Sequence, residues 1–371
     1  MSENSCFDIR IIPAVLLSVL ILYGSAVFAC TGIQLEGEDG TVVRGRTMEW
    51  GAFDMETRLQ VVPRDTDFVG LTPDGLTGHK WKSKYGFVAL VVLEGIATDG
   101  MNEKGLSAGG FFHKGFAEYI PYDPERANSC IAPSDFLTFI LSNFSTIKEV
   151  KEGLSKISVV PVIAEKIGMP WPAHAMVTQP DGECVVIEFT DGKIMVYDNP
   201  VGVITNNPNF PWHLTNLRNY GYISNQPFED KKWGELDITP LAGGSGMLGL
   251  PGDFTAPSRF VRAVVFSQYS RQTKGGIDTV NELFRILDNF NEGITQAEGS
   301  DLTNTVNIPS ATQWTVAFDT KNLAVYYHTM FNRRIRKADL KEIDFSKKPA
   351  REIPLDKVQE QEVKDITELV K

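Results

Sequence analysis

Cysteine and histidine are scarce in this chain, with four of the first and five of the second among 371 residues. No CxxC or HExxH pair occurs, and His79, His113, His174, His213 and His328 are scattered along the sequence. A metal site therefore has no support, and no cofactor is called for. Basic charge is also in short supply: Lys plus Arg number 36 against 47 for Asp plus Glu, a net charge of -11. A phosphate-tracking nucleic-acid binder would be basic, so nucleic acid is excluded as a partner. Internal repeats, low-complexity tracts and charged linkers are absent until the C-terminal end. What remains, 42% hydrophobic, 10% aromatic and 22% charged, is the profile of a folded globular protein rather than a disordered, collagenous or coiled-coil one.

One long apolar run is present. Arg10 precedes the stretch Ile11 to Ala29, which ends in the small residues Val27 and Ala29 at the minus-three and minus-one positions of a secretory cleavage site. The run reads as a cleaved export signal over residues 1–29, placing the protein in the periplasm or outside the cell with no membrane attachment afterwards. An uncleaved anchor is the alternative, since about 20 apolar residues span a bilayer. Pro13, Ser18, Gly24 and Ser25 within the run favour cleavage. Cleavage makes Cys30 the first residue of the mature protein. Cys6 is lost with the signal, and Cys130 and Cys184 are read either as a disulfide or as two buried thiols.

Strand-like runs follow at Thr31 to Leu35, Thr41 to Arg46, Thr57 to Pro63, Gly86 to Val92 and Leu106 to Phe112, with Glu38-Asp39-Gly40 and Asp99-Gly100 read as turns between strands. Pro133-Ser-Asp opens a helix to about Phe144, and Thr146 to Ile157 has helical apolar spacing. Strands return from His174 to Thr205, with Asp191-Gly192 as a hairpin turn. A second helical pair spans Ser258 to Gln272 and Ile277 to Phe290, and a closing hairpin spans Gln313 to Phe318 and Leu323 to His328. This order predicts an α+β domain of antiparallel sheets with helices on their outer faces, over residues 30–337. Residues 338–371, rich in Lys, Glu and Asp, read as a solvated arm or surface helix.

Two familiar patterns fail on context. Gly244-x-Gly246-x-x-Gly249 resembles a dinucleotide fingerprint, but no strand leads into it and Pro251 breaks any helix leaving it. Gly105-Leu-Ser107-Ala-Gly109 resembles a nucleophile elbow, yet the following Gly110-Phe-Phe-His is a poor helix start. Cys30 is the stronger nucleophile. A free α-amine titrates near roughly 7.7–8.0 and a thiol near about 8.5, so an N-terminal cysteine carries nucleophile and base in one residue. Lipidation of Cys30 would block that chemistry; the bulky Phe28 at minus two disfavours it.

The segments Cys30-Thr-Gly-Ile, Gly45-Arg46-Thr-Met-Glu49-Trp50, Met101-Asn-Glu-Lys-Gly-Leu106, Thr205-Asn206-Asn-Pro208-Asn-Phe210 and Leu248-Gly-Leu-Pro-Gly-Asp-Phe254 with Ser258-Arg259-Phe resemble, in order and separation, the choloylglycine hydrolase and penicillin V acylase family. The resemblance implies an N-terminal nucleophile hydrolase with a four-layer αββα sandwich, acting on small-molecule N-acyl amides and assembled as a homotetramer. Carried over position by position, Cys30 is the nucleophile with its own amine as base. Arg46 is a cation beside the thiolate, Asn206 the side-chain oxyanion donor, Arg259 a second site arginine, and the Phe112 N–H the other oxyanion donor. Taken alone, Arg46 reads as a salt-bridged strand residue, Asn206 as a turn former and Arg259 as the polar face of a helix start.

Two positions depart from the family pattern. Glu49 stands where the family has Asp, and one methylene moves the charge by about 1.5 Å, enough to impair a reacting geometry. Phe112 stands where the family has Asn or Tyr, and with Trp50 it suits an apolar or phenoxyacetyl acyl group. Candidate substrates are conjugated bile salts, penicillin V and N-acyl homoserine lactones. The alternatives are an exported or lipidated binding protein that keeps the fold without the activity, and an acid-ceramidase-like lipid amidase.

Overall fold

Alternation in the sequence decides the layers. In the strand Phe87–Val92, Phe87, Ala89 and Val91 join one buried cluster while Val88, Leu90 and Val92 join another, as a sheet covered on both faces requires. The computed structural model describes residues 29–51, 54–294, 296 and 311–371. The segment read as an export signal, residues 1–29, lies outside them except for Ala29. Among the described residues no helix is long and apolar enough to cross a membrane.

In chain order the strands of the two large sheets are β1 (Cys30–Glu36), β2 (Val42–Glu49), β3 (Arg58–Val62), β4 (Phe87–Val92), β5 (Ile96–Asn102), β6 (Ser107–Phe112), β7 (Ala173–Thr178), β8 (Cys184–Thr190), β9 (Lys193–Asp198), β10 (Val203–Ile204), β11 (Thr312–Asp319), β12 (Ala324–Thr329), β13 (Arg336–Asp339) and β14 (Arg351–Pro354). They form a six-stranded sheet ordered β10-β1-β2-β11-β12-β13 and an eight-stranded sheet ordered β9-β8-β7-β6-β5-β4-β3-β14, with every neighbouring pair antiparallel. Helices α1 (Phe136–Asn143) and α2 (Ile147–Leu154) cover the eight-stranded sheet. A short helix α3 (Phe210–Leu217) follows β10, while α4 (Ala256–Gln268) and α5 (Ile277–Leu287) pack on the six-stranded sheet. The result is the αββα sandwich.

Local chemistry sets the turns and caps. Asp191 and Gly192 both take positive φ, 52° and 67°, in the two-residue turn joining β8 to β9. Thr146 caps α2 by accepting from the Glu149 N–H at 3.1 Å, and Glu149 reaches back to the Ser145 N–H at 2.7 Å. Where the two sheets face each other, Gly32 on β1 leaves room for the Phe111 ring, since a Cβ there would lie 2.5 Å from its tip.

Two segments differ from the sequence-based expectation. Asp99-Gly100, read as a turn, lies in the middle of β5, because the buried Asp99 carboxylate is paired with Arg44 and stands 3.5 Å from Arg46 on the opposing sheet. The charged tail is a solvated arm only in its last part: residues 357–371 are exposed, whereas the part before them packs on the domain. β14 extends the edge of the eight-stranded sheet against β3, and Leu340, Phe345 and Leu355 are buried. Phe345 sits on Gly86, where a Cβ would come within 2.4 Å of the ring. Burying three such side chains contributes about 5–9 kcal/mol, comparable to the whole stability of a domain. Truncation after Lys337 is therefore expected to yield aggregated or molten protein, checked by loss of a cooperative thermal transition. Cys130 and Cys184 are free and buried, so the two-thiol reading holds.

Candidate active site

Cys30 opens β1 and pairs in register with Met48 on β2, which brings Arg46 and Glu49 to the same end of the sheet. Ala29 and Cys30 are both enclosed, 1% and 2% exposed. The Cys30 N–H donates to Asn206 Oδ1 at 2.8 Å, and the Cys30 carbonyl accepts from the Arg259 guanidinium. Arg259, in the first turns of α4, also donates to Thr31 Oγ1 at 3.0 Å, to Asn206 Oδ1 at 2.8 Å and to the Phe254 carbonyl at 2.8 Å. Two donors converge on Oδ1, which fixes the amide orientation of Asn206. Its Nδ2 donates to the Phe112 carbonyl at 2.7 Å.

Asn206 and Phe112, the two expected oxyanion donors, are thus neighbours. Asn206 Nδ2 carries two hydrogens, and the Phe112 carbonyl takes one of them. The Phe112 group that faces Asn206 is its carbonyl. Arg46 is buried and held by the Thr47 carbonyl at 3.0 Å and the Gly110 carbonyl at 2.6 Å, with its guanidinium over the Phe111 ring. Burial pushes the Cys30 thiol up. Arg46 opposes that most strongly among the charges, Glu49 adds to it, and Arg259 and a backbone hydrogen bond from Glu49 act against it.

A model of linear amide C-N hydrolases of the choloylglycine hydrolase family matches residues 30–361. The chain belongs to the choloylglycine hydrolase family. It is 34% identical over 319 residues to the bile salt hydrolase/transferase of Clostridium perfringens, covering 84% of this chain and 92% of the relative. The corresponding protein of Lactiplantibacillus plantarum is 32% identical over 314 residues, covering 84% and 92%. In three dimensions a variant of the conjugated bile acid hydrolase from C. perfringens superposes with a TM-score of 0.79 at 27% identity, covering 91% of this chain and 100% of that one. Penicillin V acylase from Agrobacterium tumefaciens shares the fold at a TM-score of 0.68 and 24% identity, covering 88% and 92%. The protein is accordingly an amidohydrolase of linear C–N bonds.

Residues that the sequence did not single out complete this choloylglycine hydrolase site. Trp171 stacks on Trp50 at 5.9 Å and 14°, and Phe112 meets both rings edge-on, so Trp50 and Phe112 belong to an aromatic trio. Thr312 donates to Glu49 Oε1 at 2.7 Å and accepts from the Glu292 N–H at 2.8 Å. Burial, then the nearby Glu292 carboxylate, push Glu49 up from 4.5 to about 8, with Arg259 opposing. Between those values the folded state binds more protons than the unfolded one, so this group's contribution to stability is full below about pH 4.5 and declines as pH rises through 8. Glu49→Gln abolishes that proton uptake. Denaturant titrations are expected to show a wild-type midpoint that falls more steeply between pH 5 and pH 9 than the variant's.

The other patterns resolve simply. Ser107 is a buried strand residue that accepts from Arg44 Nε at 2.9 Å and donates to the Gly100 carbonyl at 3.0 Å, and no helix follows it. Gly244 to Gly249 form a loop with a single 3₁₀ turn over Ser245–Met247. Three of the five histidines, His113, His174 and His213, come together in space. His113, His174 and Glu188 place ligand-type atoms within 4.8 Å of one another. The two imidazoles are stacked, 4.1 Å apart and 3° from parallel, whereas a metal lies in the plane of each ring that binds it. Parallel stacked planes share no such point, so the cluster as built is not a metal centre.

Proposed function

We propose that the protein is exported, loses residues 1–29, and hydrolyses an N-acyl amide through Cys30. The observation carrying this reading is the grip on the first mature residue: its nitrogen on Asn206 Oδ1 at 2.8 Å and its carbonyl on Arg259. Before cleavage that nitrogen is a peptide N–H; afterwards it is an amine in the same place, able to take the thiol proton. Sulfur then bonds to the acyl carbon, and the carbonyl oxygen becomes an oxyanion facing the second Asn206 Nδ2 hydrogen and the Phe112 N–H. The amine passes its proton to the leaving nitrogen as the C–N bond breaks. Water attacks the thioester, giving up its proton through the same amine, and the carboxylic acid and thiol are released. Two buried guanidinium groups oppose the burial that pushes the thiol up and so ease its ionisation.

Relatives of this chain are named for bile salts and a structural neighbour for penicillin V. The Trp50, Phe112 and Trp171 trio favours an apolar or aryloxyacetyl acyl group over a hydroxylated steroid. Expression of the full chain, intact-mass analysis and an amine-release assay across glycocholate, taurocholate, penicillin V and acyl homoserine lactones test the proposal. The expected product starts at unmodified Cys30 and releases amine fastest from an apolar acyl donor. A diacyl adduct, or turnover by a protein whose Cys30 nitrogen is still in peptide linkage, overturns it.

A further inference from the structure

Behind Asn206 lies a buried polar network that the reaction above does not use. The segment Thr205-Asn206 leaves β10 with both of its carbonyls facing imidazoles: His174 Nε2 is 3.0 Å from the Thr205 carbonyl and His213 Nε2 is 3.0 Å from the Asn206 carbonyl. A carbonyl oxygen only accepts, so both Nε2 atoms carry hydrogen. His174 Nδ1 lies 3.1 Å from Glu188 Oε1, and that oxygen also accepts from the Phe210 N–H at 2.8 Å, the first residue of α3. His213 sits on the same α3, stacked on Phe260 of α4 at 4.7 Å. His113 stacks on His174 from the other side. With its hydrogen on Nε2, neutral His174 accepts at Nδ1, so the proton between them belongs to Glu188, whose carboxyl burial pushes up; Glu188 on β8 thereby locks His174 and the start of the helix that presents His213.

Burial, first of all, lowers the His174 imidazole to about 3 and also lowers His213, which favours the neutral donor form of both. A neutral pair holding two successive carbonyls limits how the Asn206 side chain can turn, and that side chain holds the Cys30 nitrogen.

We propose that His174 and His213, locked by Glu188, are positioning residues that hold Asn206 against the nitrogen of Cys30. Their effect passes through Asn206 and touches neither substrate nor sulfur. As a statement about catalysis this rests on Cys30 being the nucleophile. As a statement about geometry it is measurable without any substrate.

The test uses protein expressed from the full chain, with its N-terminus read by mass. His213→Phe keeps the stack on Phe260 and removes the donor, while His213→Gln keeps a donor at the reach of Nε2. Iodoacetamide labelling of Cys30, located by peptide mass, is expected to change in rate about fivefold or more in His213→Phe and to stay near wild type in His213→Gln. On any amide the wild type hydrolyses, kcat is expected to fall about 30–100-fold in His213→Phe with KM little changed, and to recover in His213→Gln. Should the Phe variant not fold, His213→Asn replaces it, because its amide stops about one bond short and is expected to show the same losses. Wild-type labelling in the donor-less variant, or equal losses in the Gln variant, overturns the proposal. A wild type that turns over no amide sinks the proposed function instead, and the labelling comparison still decides this one.

Discussion

Replacing Cys30 by serine is expected to lower amide hydrolysis by about 10³-fold or more, measured as amine release at saturating substrate, with the folding midpoint close to that of the wild type. Sulfur and oxygen are near in size, and the Glu49 backbone hydrogen bond that reaches the thiol can serve a hydroxyl as well. The loss is chemical. A hydroxyl is far less acidic than a thiol, and the fields of Arg46 and Arg259 that favour a thiolate are too weak to ionise it. An amine that matches the acidity of a thiol is a poor base for an alcohol. Activity near wild type in the serine variant would remove Cys30 from the mechanism.

Arg259→Met is expected to have the second largest effect, on both stability and rate. Arg259 is buried, and its guanidinium serves the Cys30 carbonyl, Thr31 Oγ1, Asn206 Oδ1 and the Phe254 carbonyl. Methionine fills much the same stem volume and offers no donor. Each buried acceptor stranded in this way costs about 1–3 kcal/mol. Denaturant unfolding at pH 7 is expected to show that loss. The rate is expected to fall about 10²-fold or more as Asn206 and Cys30 lose their shared anchor. Arg259→Lys restores charge without the planar fork, so it is expected to recover stability better than rate. Equal recovery of both would show that charge alone matters.

The departure at Glu49 looks different once the fold is known. Sequence alone shows an extra methylene where an aspartate is usual. In the structure that longer carboxyl reaches the Thr312 hydroxyl and shares its surroundings with Glu292, and burial first, then the nearby Glu292 carboxylate, drive its proton affinity up. Thr312 and Glu292 lie more than 240 residues further along the chain, and no local pattern marks either of them.

Much of the layer architecture was legible because it depends on neighbours in sequence. Alternation around Val88 and Leu90, the Asp191-Gly192 turn and the Thr146 cap each act over a few residues. Asp99-Gly100 misleads for the opposite reason. Turn propensity is a local preference, and a buried carboxylate paired with Arg44 and approached by Arg46 on another sheet outweighs it. The short α3 and the tail strand β14 escape for similar reasons, since Phe210 of α3 is buried, and β14 pairs with β3, only after the sheets have formed.

By itself the sequence determined the family, most of the order of strands and helices, and the residues Cys30, Arg46, Glu49, Asn206 and Arg259 that meet at one end of a sheet, because ordered motifs and short-range periodicity survive in one dimension. Only the tertiary structure decided which atom of each residue is engaged: Asn206 Oδ1 rather than Nδ2 on the Cys30 nitrogen, the Phe112 carbonyl on the Asn206 amide, and three histidines drawn from distant segments into one network with Glu188. Hydrogen bonds and ion pairs of that kind depend on distances of about 3 Å between groups far apart along the chain, and packing alone sets such distances.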